Sequence, residues 1–300
     1  MSSSGEQQIM PKTLTPLRYP GGKTKITPFI QGILAENNLL GGVYAEPFAG
    51  GAGIAIKLLL EGMVSRIVIN DFDYAIYCFW NSVLNNTEKL CALIFDTKVS
   101  VEEWSRQKSI YKNSEKASKL EVGMSTLFLN RCNVSGILTG GIIGGYNQKG
   151  NYKIDSRYNK LNIVEKIQNI ARHKDQIILT YEDGTHLLNS TYYSSFTNCF
   201  LYIDPPYVKQ GGSLYKNSFT LYDHINLSKA ILNNKTPWIL TYDDHPLIQE
   251  LYGSLRSSRL HMVYSIGKFC KAEELVFFSD NLRSIEYDNE NRVYPLQKIN

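Results

Sequence analysis

The segment from Val43 to Asp71 constrains the fold more than any other. Val43 to Glu46 reads as a short strand, Pro47 to Gly53 as a glycine-rich turn, and Ile54 to Glu61 carries apolar residues at helical spacing. Arg66 to Asn70 reads as a second strand with Asp71 at its end. Strand, turn, helix and strand within about 30 residues make the βαβ unit of a doubly wound, parallel sheet. Glycines in the turn let the backbone approach a ligand closely, and the helix that follows offers free N–H groups. A carboxylate at the end of the next strand is placed to hold sugar hydroxyls. Gly22-Lys23-Thr24 suggests a phosphate-binding loop, but that pattern needs a glycine five positions before Gly22, where Leu17 stands.

Around this unit, residues 1–13 read as a loose tail, and Leu17 to Lys23 as a turn-rich lead into a helix over Thr27 to Glu36. Tyr74 to Asn130 is helical in pattern. Cys132 to Lys160, rich in glycine among Ile, Tyr and Asn, reads as a hairpin or long ordered loop. Strands are expected again over Gln176 to Tyr181, Cys199 to Ile203, Trp238 to Tyr242, Arg259 to Tyr264 and Leu275 to Ser279. The expected fold class is α/β: a mixed, mostly parallel sheet domain over 14–75 and 165–300, interrupted by an inserted domain over 76–164.

Composition narrows the class further. With 300 residues and 43% hydrophobic content, the chain is neither disordered nor a disulfide mini-protein. A net charge of +4 means that any nucleic-acid surface is local. Met1 to Gln8 lacks the apolar core of an export signal, and no run reaches the roughly 18 apolar residues of a membrane helix. The five cysteines are scattered without a Cys-x-x-Cys pair and read as reduced thiols of a cytoplasmic protein. The histidines show no metal spacing, and no metal is expected.

The chemistry is written most clearly in Leu201-Tyr202-Ile203-Asp204-Pro205-Pro206-Tyr207, an apolar strand running into a stiff turn. The bland reading is a rigid strand end with a capping Asp. The demanding reading concerns an exocyclic nucleobase amine, a poor nucleophile because its lone pair is delocalised into the ring. Asp204, acceptor-only when ionised, can take one amino hydrogen, and the Pro205 carbonyl the other. Both favour positive charge growing on nitrogen. Pro206 stiffens the turn, and Tyr207 supplies a flat face for the base.

Here the chain resembles the Dam-type adenine-N6 DNA methyltransferases. The resemblance rests on Tyr19-Pro20-Gly21-Gly22-Lys23, Glu46-Pro47-Phe48-Ala49-Gly50-Gly51, Asn70-Asp71, Phe128-Leu129-Asn130-Arg131 and Asp204-Pro205-Pro206-Tyr207, in the family's order. It implies a Rossmann-like methyltransferase with an inserted helical and hairpin DNA-recognition domain. The implied cofactor is S-adenosyl-L-methionine, held by Tyr19, Gly22, Lys23, Glu46, Phe48, Gly50, Gly51, Asp71 and Asp183. The Gly21-Gly22-Lys23 segment would lie by its methionine part, Asp71 by its ribose and Asp183 by its adenine amine.

The resemblance further implies a double-stranded DNA substrate with a flipped adenine. Asn130, Arg131, Lys149, Lys153 and Arg157 are the expected DNA contacts, with Tyr146, Tyr152 and Tyr158 interleaved. Lys108, Lys112, Lys116 and Lys119 form a possible second basic stripe. A cognate restriction endonuclease is a further expected partner, and a monomer is the expected state, though neither is given by the sequence itself. Two departures stand out. Ala52 occupies a position that is often glycine in the family, and Leu138 to Gly145 differs from Dam proper, so a GATC target is not carried over. Cytosine-N4 or RNA amino-methylation, or a silent DNA-binding subunit, are the rival functions.

Overall fold

Alternate residues of the central strands point to opposite faces, and both sets are apolar. Tyr44, Phe200 and Tyr202 enter one core cluster, while Ala45, Leu201 and Ile203 enter another. A strand buried on both faces needs covering layers on both. The computed structural model describes residues 13–18, 23–208, 219–266, 268–283, 285–287 and 293–295, and shows such a sheet. Its strands are β1 (Val43–Glu46), β2 (Arg66–Asn70), β3 (Ile177–Thr180), β4 (Cys199–Ile203), β5 (Trp238–Asp243), β6 (Ser257–Ile266) and β7 (Lys268–Phe278). They lie in the order β3-β2-β1-β4-β5-β7-β6. All pairs are parallel except those made by β7, which runs antiparallel to both β5 and β6. A further pair, β8 (Ile285–Tyr287) and β9 (Val293–Pro295), forms a separate two-stranded sheet.

The helices are α1 (Thr27–Glu36), α2 (Gly53–Leu60), α3 (Tyr74–Asn85), α4 (Thr87–Asp96), α5 (Val101–Lys112), α6 (Lys119–Cys132), α7 (Lys160–Ala171), α8 (Gly184–Asn189), α9 (Leu221–Asn233) and α10 (Pro246–Tyr252). Local chemistry sets their starts. Asp73 caps α3 and Asp183 caps α8, while Ser118 with Glu121, and Thr220 with Asp223, form capping boxes on α6 and α9. Helices α1, α2, α3, α6 and α7 bury their apolar residues against one sheet face, and α8, α9 and α10 against the other.

The segment over 76–164 does not carry a core of its own. Leu127, Phe128, Ile142, Ile154 and Tyr158 belong to the same apolar cluster as Tyr44 and Phe200 of the sheet. Both limits of that segment fall within helices, α3 and α7. The stretch after α6 is a long ordered loop and not a hairpin of strands. A 3₁₀ turn (Val134–Gly136) and a lone antiparallel bridge between Asn133 and Ile142 are its regular features. Gly136, Gly144 and Gly145 take positive φ there, and each reversal interrupts the extended runs that a hairpin needs. The lysine stripe is also broken. Lys108 and Lys112 sit on α5, Lys116 in a 3₁₀ turn and Lys119 at the start of α6. Lys108 Nζ is occupied by the carbonyls of Thr139 and Gly140 at 3.1 and 3.0 Å.

The strand order reverses direction between β1 and β4, which opens a crevice at their carboxyl ends. The fully buried Asn70 ties three strand ends together there. Its amide nitrogen donates to the carbonyls of Pro47 and Glu182, each at 2.9 Å. Its amide oxygen accepts from Thr180 Oγ1 at 2.8 Å and Glu182 N at 3.0 Å. Asn70→Leu fills the space but strands these four groups, so it should cost about 3 kcal/mol of unfolding free energy in urea denaturation. A loss below about 0.5 kcal/mol would show that the knot is dispensable.

Candidate active site

The glycine turn after β1 is held from all sides. Asp71 Oδ2 accepts from Gly50 N at 2.7 Å, Trp80 Nε1 donates to Gly50 O at 2.9 Å, and Thr15 Oγ1 donates to Gly51 O at 2.6 Å. Gly50 takes a φ of 47°. Ala52 takes φ 46°, ψ 35°, so the departure from glycine leaves a left-handed backbone at the start of α2. That conformation costs an L-residue roughly 1–2 kcal/mol, which the surrounding hydrogen bonds offset. Phe48 lies over Gly184, where an added Cβ would come within 2.7 Å of the ring.

Asp71 also accepts from Asp73 N at 2.8 Å. It keeps some surface open, yet burial, aided by the neighbouring Asp73 charge, pushes its carboxyl up to about 7 against these two N–H donors. Next to it the exposed Phe72 stacks with Tyr181, centroids 6.0 Å apart, and Tyr181 stacks in turn with Tyr77 at 5.1 Å. Exposed Asp183 uses one oxygen, Oδ1, to cap α8 through Thr185 N and His186 N. Glu46 is buried, and its Oε1 accepts from Tyr44 Oη at 3.0 Å and Ala55 N at 3.1 Å. Burial raises its carboxyl to about 8 despite those donors.

Across the crevice, β4 ends in Asp204. Its Oδ1 accepts from Thr241 Oγ1 at 2.7 Å and Tyr207 Oη at 3.0 Å, and meets Lys23 Nζ at 3.3 Å. No described residue is shown bonding to Oδ2, and the side chain is 24% exposed. Asp204 therefore combines a fixed orientation with a spare acceptor. Pro205 is buried and Pro206 half-buried.

Lys23, expected beside a cofactor, instead points its ammonium into this cluster. Its side chain is 6% exposed. Nζ donates to Tyr207 Oη at 2.6 Å and Glu274 Oε1 at 3.1 Å, and lies 4.7 Å from the Tyr207 ring centroid. Burial alone would lower its pKa, but Asp204 and Glu274 outweigh that and raise it. Tyr19 and Gly22 lie outside the described residues.

The DNA contacts divide. Lys149, Lys153 and Arg157 are exposed on the glycine-rich loop, beside Tyr146 and Tyr152 at 67% and 65% exposure. The Arg157 guanidinium lies 5.7 Å from the Tyr152 ring centroid. Asn130 is buried, and its amide is spent on Arg18 N, Arg18 O and Gly136 O. Arg131 donates to the Pro16 carbonyl, and burial, with Arg18 nearby, lowers its pKa to about 10. Both residues organise the loop's root, Asn130 from the core and Arg131 half-buried beside it. Tyr158 is likewise a core residue, 5.4 Å from the Phe128 ring. Sequence reasoning missed Thr241 and Glu274, which belong to no motif, and Phe72, flagged only by following Asp71.

Among the described residues no cluster of His, Cys, Asp or Glu is placed to hold a metal ion, and no helix is long and apolar enough to cross a membrane. The strand order and the two turns flanking the crevice define a Rossmann-like methyltransferase fold. Residues 19–266 match the D12 class N6 adenine-specific DNA methyltransferases, and the chain belongs to that family. Comparison with curated proteins gave no match. Similar solved structures include a candidate RNA methyltransferase from Pyrococcus horikoshii, 12% identical over 90% of each chain with a TM-score of 0.41. Another is the rRNA methyltransferase AviRa from Streptomyces viridochromogenes, 11% identical over 88% of this chain and 87% of that one, with a TM-score of 0.40.

The buried Glu46 yields a pH test with a definite sign. Below about 4.5 its carboxyl is protonated folded or unfolded. Between 4.5 and about 8 the unfolded chain ionises while the folded one resists, so wild type loses stability as pH rises. Glu46→Gln keeps the accepting oxygen and removes that loss. Its unfolding free energy relative to wild type should therefore climb through this window. Parallel stability profiles would contradict the burial of an ionisable Glu46.

Proposed function

We propose that the chain transfers a methyl group from S-adenosyl-L-methionine to the exocyclic N6 of an adenine flipped out of double-stranded DNA. The single observation that carries this reading is the spare oxygen of Asp204, held rigid by Thr241, Tyr207 and Lys23 at the mouth of the crevice. The amine donates one hydrogen to that oxygen and the other to the Pro205 carbonyl. With S-adenosyl-L-methionine bound, the nitrogen lone pair would form the N–C bond as the S–C bond broke, the latter's electron pair staying on sulfur. Positive charge passes to nitrogen beside Asp204, and the surplus proton leaves to water. Positioning supplies most of the acceleration. Tyr207, 5.9 Å from the Tyr242 ring centroid, lines the base pocket.

The other side of the crevice fits the cofactor. Asp71 has lone pairs beyond those used by Gly50 and Asp73, enough for a ribose diol. Asp183 Oδ2 is an acceptor for an adenine amine, Phe48 offers flat apolar surface beside Gly184, and Phe72, next to Asp71, offers a second. Glu46, Gly50 and Gly51 shape the turn against which the methionine part rests. S-adenosyl-L-methionine supplies an activated methyl group on a sulfonium there.

The glycine-rich loop is the proposed DNA grip, with Lys149, Lys153 and Arg157 on phosphates and Tyr146 and Tyr152 near the bases. The same acceptors would take the amine of cytosine, and what favours adenine is the family match over residues 19–266.

Asp204→Ala should lower methyl transfer by about 10²-fold or more while S-adenosyl-L-methionine affinity, read by calorimetry, stays put. Turnover at the wild-type rate would remove Asp204 from the chemistry. Lys153→Ala with Arg157→Ala should weaken DNA binding and reduce the slope of log K against log salt by about 1–2. An unchanged slope would place the DNA elsewhere.

A further inference from the structure

We propose that Glu274 is a positioning residue of the methyl-transfer site, acting through Lys23 to keep Asp204 open to the base amine. This rests on the functional reading above. Glu274 lies on β7, 70 residues from Asp204, and reaches the crevice because β7 runs antiparallel beside β5, pairing Glu274 with Asp243. Its side chain is 3% exposed.

An ammonium has three N–H donors and no acceptor. Among the described residues Lys23 Nζ meets Tyr207 Oη (2.6 Å), Glu274 Oε1 (3.1 Å) and Asp204 Oδ1 (3.3 Å), and Asp204 is the farthest of these three. Glu274 shares the ammonium and prevents it from closing fully on Asp204. Without that share the cation would settle on the carboxylate and compete with the amine of the base for its lone pairs.

The charge balance points the same way. Two carboxylates about one ammonium leave a negative surplus where nitrogen gains positive charge in the transition state. With Glu274 neutral, the surplus vanishes, and Asp204 alone balances Lys23 where the positive charge develops. The ground-state complex carries no such charge on the amine, so the effect falls on turnover more than on DNA binding.

The test uses the full chain as wild type, Glu274→Gln and Glu274→Asp. Glu274→Gln is close in shape, and thermal melts check its fold. The expected result is a kcat lowered by about 10²-fold in Glu274→Gln, with KM for DNA changed less than about 3-fold, and recovery of about 10-fold in Glu274→Asp. An undiminished kcat in Glu274→Gln, or a loss confined to KM, would overturn the inference. A second readout needs no turnover. In protein carrying ¹³C-labelled lysine, with Lys23 assigned by its loss in Lys23→Arg, the Lys23 titration midpoint should lie lower in Glu274→Gln than in wild type. An identical midpoint overturns the inference even if the wild type proves to methylate something other than adenine. A wild type inert on DNA with a lowered midpoint in the variant would reject the functional reading and leave the Lys23–Glu274 coupling standing.

Discussion

A lysine taken out of water must find anions, and Lys23 organises half of the crevice by doing so. Its ammonium joins an N-terminal 3₁₀ turn to the end of β4 through Asp204 and Tyr207, and to β7 through Glu274. Lys23 stands more than 180 residues before each of these groups in the chain. Each charge is tolerable because the others are within hydrogen-bonding distance. Loss of Lys23 would leave both carboxylates without this cation, so the catalytic turn and the antiparallel edge are bound to the same condition.

The opposite wall follows a different logic. It is built from backbone, with the left-handed residues Gly50 and Ala52 turning the chain sharply into α2. Asn70, Asp71, Trp80 and Thr15 saturate the polar groups that such a turn exposes. One wall thus offers a pre-shaped cradle with carboxylate acceptors, and the other a charged cluster with one spare oxygen. The reversal of strand order between β1 and β4 sets the two face to face.

Much of this was legible in the sequence. The limits of β1 and β4 follow from apolar runs stopped by proline turns, and that of β2 from an apolar run stopped by Asp71, signals that are local and strong. Asp71 and Asp204 were legible for the same reason, as acids at strand ends. Asn130 and Arg131 were expected at DNA from residue type, whereas their packing depends on the distant Pro16 and Arg18. The choice between hairpin and ordered loop stayed open because glycine-rich sequence specifies reversals without saying whether extended runs will pair. Glu274 was invisible, since its role exists only once β7 is laid antiparallel beside β5. The helical segment looked separable by pattern, yet its apolar side chains complete the core that covers one face of the sheet.

The account's central claim is the identity of the nitrogen that receives the methyl group. Unmethylated genomic DNA incubated with the chain and isotope-labelled S-adenosyl-L-methionine, then digested to nucleosides and resolved by mass spectrometry, addresses it directly. The account predicts label in N6-methyladenosine of the deoxy series. Label in N4-methylcytosine, or in RNA alone under the same conditions, would contradict it.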